Sequence, residues 1–412
     1  MACRYVHLEM PVPDRGREPD ALAPTEGTGS RARFWGRLGT AALVPAALVA
    51  VWEQVQIFTI LTGRPWADAI DYKLYRVAAA IGVHSGWSHI YDANLQRPAI
   101  VPFWPRIAWP AWWQSSQAFW TPMVTPPPAA WLAAPFGALP LEVASRLWMA
   151  LLTVALVATV LVIAPPGLAS KLRYAAVIAL TWASVVALVS GNLVVLVALA
   201  LAVGWRLLED RREVLAGVVL GLTTIKPQVV FVVPVLLLVT GRWRAVTAWA
   251  AVAAVLAVAS LLMLGAHGVV AYRDLVGLVS GFTGQQKLGL AQLPLPALER
   301  AILPAAALAL FAIVAWHTRE RGPAVTLALG IMASLLVSPY LNAEDFVLLL
   351  PAGLLLVRAR RSPWEAVPAI AMILSATPAS QSIVWPAYVA MAATLAAVVL
   401  PWRVQVAVAQ AA

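Results

Sequence analysis

Long apolar runs separated by short basic clusters dominate the chain, and several approach the ~20 residues that a helix needs to cross ~30 Å of hydrocarbon, as at 245–264 and 387–402. No barrel-like alternation of apolar and polar positions is present, so the runs read as helices. The pattern predicts helical spans at 38–61, 146–164, 174–190, 192–208, 214–225, 227–240, 245–265, 303–318, 323–339, 345–357, 364–379 and 385–402. Lys and Arg collect on the cytoplasmic side of membrane proteins. Placing Arg31, Arg33 and Arg37 inside puts Lys171 and Arg173, the Arg206 to Arg212 group, Arg242 and Arg244, Arg319 and Arg321, and Arg358 to Arg361 inside as well. This arrangement leaves both termini cytoplasmic.

The expected architecture is an all-α polytopic membrane protein of about twelve transmembrane segments. It divides into a polar tail at 1–36, one transmembrane domain at 37–403 and a second tail at 404–412. Two long stretches, 63–145 and 266–302, fall outside as extracytoplasmic loops, and loops of that length call for a function. The first is rich in Trp and Pro, including Trp87, Trp104, Trp109, Trp112, Trp113 and Trp120, which suits pieces lying at the membrane interface around an outward-facing site. Within it, 129–139 is too short to cross and reads as a re-entrant or surface helix.

Composition sharpens the picture. Hydrophobic residues make up 61% of the 412 positions and charged residues only 12%, roughly half the share in soluble domains. The net charge of +10 lies in inter-helical clusters, without the continuous stripe or interleaved aromatics of a nucleic-acid binder. Cys3 is the single cysteine, so an intrachain disulfide and a cysteine-based metal cluster are excluded. The polar stretch 1–36 ahead of a long apolar run argues for a first anchor helix in the inner (plasma) membrane over a cleaved signal peptide.

Against this background Lys226 stands out. It lies at the turn of the apolar hairpin LGLTTIKPQVVFVVPVLLL, whose two ends carry Arg212 and Arg244. From Arg212 it is raised ~21 Å along a helix axis, and Pro227 turns the chain away from helix there. An ammonium at such depth needs an anion or a wet cavity. Two readings follow: it meets the phosphate of a lipid carrier, or it snorkels or pairs with a carboxylate such as Glu53.

Outward-facing carboxylates are the other candidates. Asp71 opens the amphipathic piece DYKLYRVAAAIG, where an apolar neighbourhood would raise its pKa towards that of a general base; the alternatives are a loop charge or a cap, which are favoured for Asp68. In SPYLNAED, Asn342 and Glu344 read as helix caps, while Asp345 is open between cap and site. Asn192, in the SGN turn, either caps its helix or hydrogen-bonds a sugar. Arg273, Asp274, Gln285, Gln286 and Lys287 in the second loop suit hydroxyls or a phosphate, or an ordinary wet loop. No metal site is expected: His84 and His89 share a loop with Asp92 but lack helical ligand spacing. A Gly-rich nucleotide loop is also missing.

These residues resemble the polyprenyl-phosphate-dependent glycosyltransferases of family 87, with their GT-C type of membrane fold. Asp71 to Tyr75 resembles the family's D-x-x-x-Y motif, and IYD at Ile90 to Asp92 its later aromatic element. TPPPAAWLAAPFGALP is similar to its Pro-Pro segment. The SGN turn with LEDRREVLAGVVLGLTTIKPQ resembles its Gly-x-Asn turn and Lys-Pro hairpin, and SPYLNAED its late Ser-Pro motif. The late motif departs from the pattern in carrying Asn342 and Glu344 where His is frequent.

The resemblance implies an enzyme moving a sugar, mannose or arabinofuranose, from a polyprenyl-phosphate donor to a lipid or glycan acceptor by inverting displacement, without a metal or another cofactor. Asp71 would be the catalytic base, and Lys226, joined by Arg273, would hold the donor phosphate. Tyr75, Asn192, Gln228, Gln286, Asn342 and Asp345 would contact substrate. The rival readings are a transporter or flippase of a polyprenyl-linked substrate, for which an internal repeat would be expected and none is visible, and a non-catalytic assembly subunit.

Overall fold

The computed structural model describes residues 69–103, 121–179, 181–280, 289–290, 296–376 and 385–411. Among the described residues every element is helical and no strand occurs. The expected first span at 38–61, Glu53, Asp68, Gln285, Gln286, Lys287 and the tryptophans between 104 and 120 lie outside them.

Two segments open the described chain. Helix α1 (Ile70–Ser85) is the amphipathic piece expected after the first span, and it buries Tyr72, Tyr75, Ala78 and Ala79. A short turn leads into α2 (Ala93–Ile100). The segment expected as one short helix at 129–139 is α3 (Pro128–Ala133) followed by a 3-10 stretch, Ala134–Ala138.

The bundle follows, as α4 (Leu141–Ile163), α5 (Leu168–Ala179), α6 (Trp182–Ser190), α7 (Val194–Glu209), α8 (Glu213–Gly221), α9 (Val232–Val239) and α10 (Trp243–Ser280). It closes with α11 (Ala297–His317), α12 (Pro323–Val337), α13 (Leu349–Ala359), α14 (Pro363–Leu374) and α15 (Trp385–Ala411). Most of the expected apolar stretches lie on these helices, with the 3-10 stretches Leu222–Ile225, Pro227–Val229 and Ala343–Leu348 making up parts of three of them.

Among the described residues, three helices are long and apolar enough to cross a membrane: α4, α10 and the 298–317 part of α11. The expected span at 174–190 is the bent pair α5–α6, which turns by 71° and would make a fourth. At 15 residues α12 covers only ~22 Å, short of the hydrocarbon thickness. It is apolar on all sides because α9, α11, α13 and α7 surround it, the pattern of a core helix. The outer faces of α4, α10 and α11 instead expose Val154, Val255, Leu262, Leu298 and Ile313, a surface suited to lipid.

The second outer loop requires a correction. The span expected to end at 265 does break there, at Gly265 (φ 58°, ψ −171°), a backbone conformation that glycine adopts without a Cβ clash, but a further helical stretch runs on from it to Ser280. Much of 266–302 is therefore helical, with α11 starting at Ala297. Hydropathy missed this because a helix leaving the apolar layer keeps its backbone hydrogen bonds while its side chains become mixed. Helix α8 packs on α10 at backbone distance. A Cβ on Gly217 would lie 2.1 Å from the Ala245 carbonyl oxygen, so only glycine fits there.

Candidate active site

Four segments distant in sequence converge on one polar cluster inside this apolar bundle. The first is the start of α1. Ala69 takes a left-handed backbone conformation (φ 50°) just before it, and the Ala69 N–H donates to the Val189 carbonyl at 3.0 Å. That tie fixes Asp71 against the end of α6. The second segment is the tight turn at Gly191 (φ 71°), where a Cβ would sit 2.8 Å from that of Ala69. The Trp148 indole N–H donates to the Gly191 carbonyl at 2.8 Å and holds the turn from α4.

The turn delivers Asn192 to the centre. Its Nδ2 donates to Asp71 Oδ2 at 2.7 Å and to Glu344 Oε1 at 3.1 Å. Its Oδ1 accepts from Lys226 Nζ at 3.0 Å and from the Val194 backbone N–H at 2.9 Å. Both amide protons and both carbonyl lone pairs are thus engaged, so the amide is fixed in orientation. Asn192 Oδ1 takes an N–H at the start of α7, and the amide also links a carboxylate to a cation.

The third segment is the Lys226 turn. Between the 3-10 stretches Leu222–Ile225 and Pro227–Val229, Lys226 is non-helical (φ −137°, ψ 70°), as expected of a residue before proline. Its side chain lies buried and pairs with Asp345. The fourth segment is the 3-10 stretch Ala343–Leu348 that precedes α13. Asp345 Oδ2 there accepts from the Asn342 N–H at 2.9 Å, closing a capping box with Asn342, while Oδ1 takes the Lys226 ammonium.

Asn342 therefore caps, as its sequence position suggested, and Asp345 caps and ion-pairs at once. Glu344 departs from the capping expectation: it points to Asn192 and lies buried beside Asp71. Sequence alone carried no signal for this, because Glu344 and Asp345 both suit a helix start and their side chains diverge only in the folded state.

The cluster's electrostatics follow from burial. Asp71 and Glu344 both lie outside the assigned membrane-spanning segments. Removal from water is the main influence on Asp71, moderated by Lys226 and Asn192, and moves its pKa up to about 6. Burial and then the Asp71 charge push Glu344 up to about 8. Of the three carboxylates Asp71 is the more exposed, whereas Asp345 is fully buried.

The remaining expected residues divide. Tyr75 is buried one turn beyond Asp71, close enough to feel the Asp71 and Glu344 charges. Gln228 is half-buried in the turn after Lys226. Arg273 is on the exposed extension of α10, paired with Asp274 at 3.1 Å, and does not join Lys226. Gln286 lies outside the described residues. A cavity of about 1030 Å³ opens near the far end of α8, lined by Arg211, Arg212, Arg242 and Arg244, away from the carboxylate cluster.

One amide, three carboxylates and a lysine thus meet where the Gly-Asn turn and the Lys-Pro hairpin come together. A family model for glycosyltransferase family 87 matches residues 124–339, more than half of the chain. The chain belongs to glycosyltransferase family 87. The matched segment of this glycosyltransferase carries Asn192 and Lys226, while Asp71, Glu344 and Asp345 fall on either side of it. No curated protein and no solved structure matches the chain.

Proposed function

We propose that this glycosyltransferase moves a sugar from a polyprenyl-phosphate donor to a lipid or glycan acceptor at the outer face of the inner membrane, in a bundle of about twelve spans. One observation carries the reading: a single amide, Asn192, joins Asp71 at 2.7 Å to Lys226 at 3.0 Å. A base and a cation held by one side chain can address the two ends of a single displacement.

In this scheme Asp71 accepts the proton of an acceptor hydroxyl as its oxygen attacks the anomeric carbon. The bond from that carbon to the donor phosphate oxygen breaks, and its electron pair leaves with polyprenyl phosphate. One displacement inverts the anomeric centre. The leaving group carries stable negative charge and needs no proton. Lys226 meets that charge with the one N–H that Asp345 and Asn192 leave over, an interaction strengthened by the low-dielectric surroundings. A pKa near 6 suits Asp71, ionised at neutral pH yet more basic than a carboxylate in water. In this reading Tyr75 and Gln228, on the flanks of the cluster, contact sugar or acceptor. Mannose and arabinofuranose are the donor sugars the reading favours.

The test is to supply purified protein with radiolabelled polyprenyl-phosphate mannose or arabinofuranose and a membrane lipid extract, comparing wild type with Asp71→Asn and Lys226→Ala. Turnover by wild type alone supports the scheme. Equal turnover by the variants removes both residues from it, and donor translocation without transfer would favour a transporter.

A further inference from the structure

We propose that His89, Asp92 and His267 form a binding site for a divalent transition metal of the zinc class, clasping the outer extension of α10 to the turn that follows α1. The three side chains come from places 175 residues apart, yet His89 Nδ1 lies 2.7 Å from Asp92 Oδ2 and His267 Nε2 lies 3.0 Å from Asp92 Oδ1. One ligand atom from each residue falls within 4.8 Å of the others. Around a zinc ion with bonds of ~2.0–2.2 Å, neighbouring tetrahedral ligand atoms are ~3.3 Å apart, so an ion would push the two His–Asp contacts of 2.7 and 3.0 Å apart by about half an ångström or less, with the imidazoles already inside the 4.8 Å reach.

The ligands sit on a rigid mount. Asp92 and His89 are locked by a tight turn, with the Asp92 N–H donating to the His89 carbonyl at 3.0 Å. His267 is held because the next residue, Gly268, rests on this turn: a Cβ there would come within 2.8 Å of the Ser88 carbonyl oxygen. Five residues beyond His267, Tyr272 packs against Tyr91 at a tilt of 52°, with ring centroids 4.7 Å apart. Contacts on both flanks thus aim the imidazoles before an ion arrives, and the partial exposure of His267 leaves a fourth position for water.

Two imidazoles and one carboxylate select the ion. Imidazole suits zinc, copper and nickel, whereas magnesium and calcium require oxygen ligands throughout. In the unliganded arrangement the Asp92 carboxylate holds both rings by hydrogen bonds. An entering ion would take the ring nitrogens and the carboxylate oxygen that these contacts now pair. The far end of α1 from Asp71 carries the site, ~21 Å along the helix axis, so the clasp is separate from the carboxylate cluster. Its consequence is stability of the outer segments, and it stands whether or not the proposed reaction does.

The experiment uses full-length protein in detergent, freed of any histidine tag and stripped with chelator. Titration with Co²⁺ should give one saturable equivalent with visible ligand-field bands, displaced by Zn²⁺ and unaffected by Mg²⁺, and Zn²⁺ should raise the unfolding temperature. His267→Ala and His89→Ala should lose the equivalent and the thermal shift, Asp92→Asn should weaken both, and the exposed His84→Ala should keep both. Wild type that takes up no stoichiometric Co²⁺, or an unchanged equivalent in folded His267→Ala protein, overturns the proposal; the wild-type spectrum decides even where a variant fails to fold.

Discussion

Lys226 and Asp345, 119 positions apart, form an ion pair with side-chain exposures of 5% and 0%. The same Asp345 carboxylate caps the stretch that opens with Ala343, through the Asn342 N–H at 2.9 Å. Site and scaffold share one side chain, so charge balance at Lys226 depends on how Ala343–Leu348 is anchored.

Asp345→Ala should therefore fail twice. Removing one partner of a buried pair strands the other charge, at a cost of ~3–5 kcal/mol. Thermal unfolding in detergent should show a large drop together with lost transfer. The double change Lys226→Met with Asp345→Leu should recover much of the stability and none of the activity.

Asn192→Ala removes the amide that orients Asp71 and Lys226 relative to each other. Misplacement of reacting groups by an ångström costs on the order of 100-fold in rate. We expect kcat to fall by about that factor with a smaller change in donor KM, read from initial rates with labelled donor.

The acid limb of the pH profile should belong to Asp71. A base works only when ionised, so kcat/KM should fall tenfold per pH unit below about 6. Asp71→Asn should lower the rate by ~10²–10⁴ and abolish that limb.

Glu344→Gln should behave differently. With its pKa raised from 4.5 to about 8, the folded state favours the neutral acid, so the native residue's stability contribution declines as pH rises from 4.5 through 8. Gln keeps an acceptor for Asn192 and cannot ionise. The variant should match wild type near pH 4.5 and unfold at a higher temperature above it, by a margin that widens through neutrality and levels off above pH 8, measured by melting across a pH series.

Gly217→Ala probes the scaffold alone. Its Cβ would lie 2.1 Å from the Ala245 carbonyl, so α8 and α10 must separate. Overpacking of this kind costs ~1–3 kcal/mol. The melting temperature should fall while the donor KM of the remaining folded enzyme stays close to wild type.

By itself the sequence determined the helical class, the rough position of the long apolar helices and the candidacy of Asp71 and Lys226. These follow from one-dimensional quantities: the length of an apolar run, the break at Pro227, and the cost of placing a charge far from water. Tertiary structure decided the rest. That Asn192 bridges Asp71 and Lys226, that Glu344 turns inward while Asp345 pairs with Lys226, and that His267 reaches Asp92 all depend on contacts across 34 to 175 positions. Hydropathy is blind to such contacts, because a carboxylate has the same polarity whether it faces water, a backbone N–H or a buried ammonium. Only the packing of helices around it distinguishes the three.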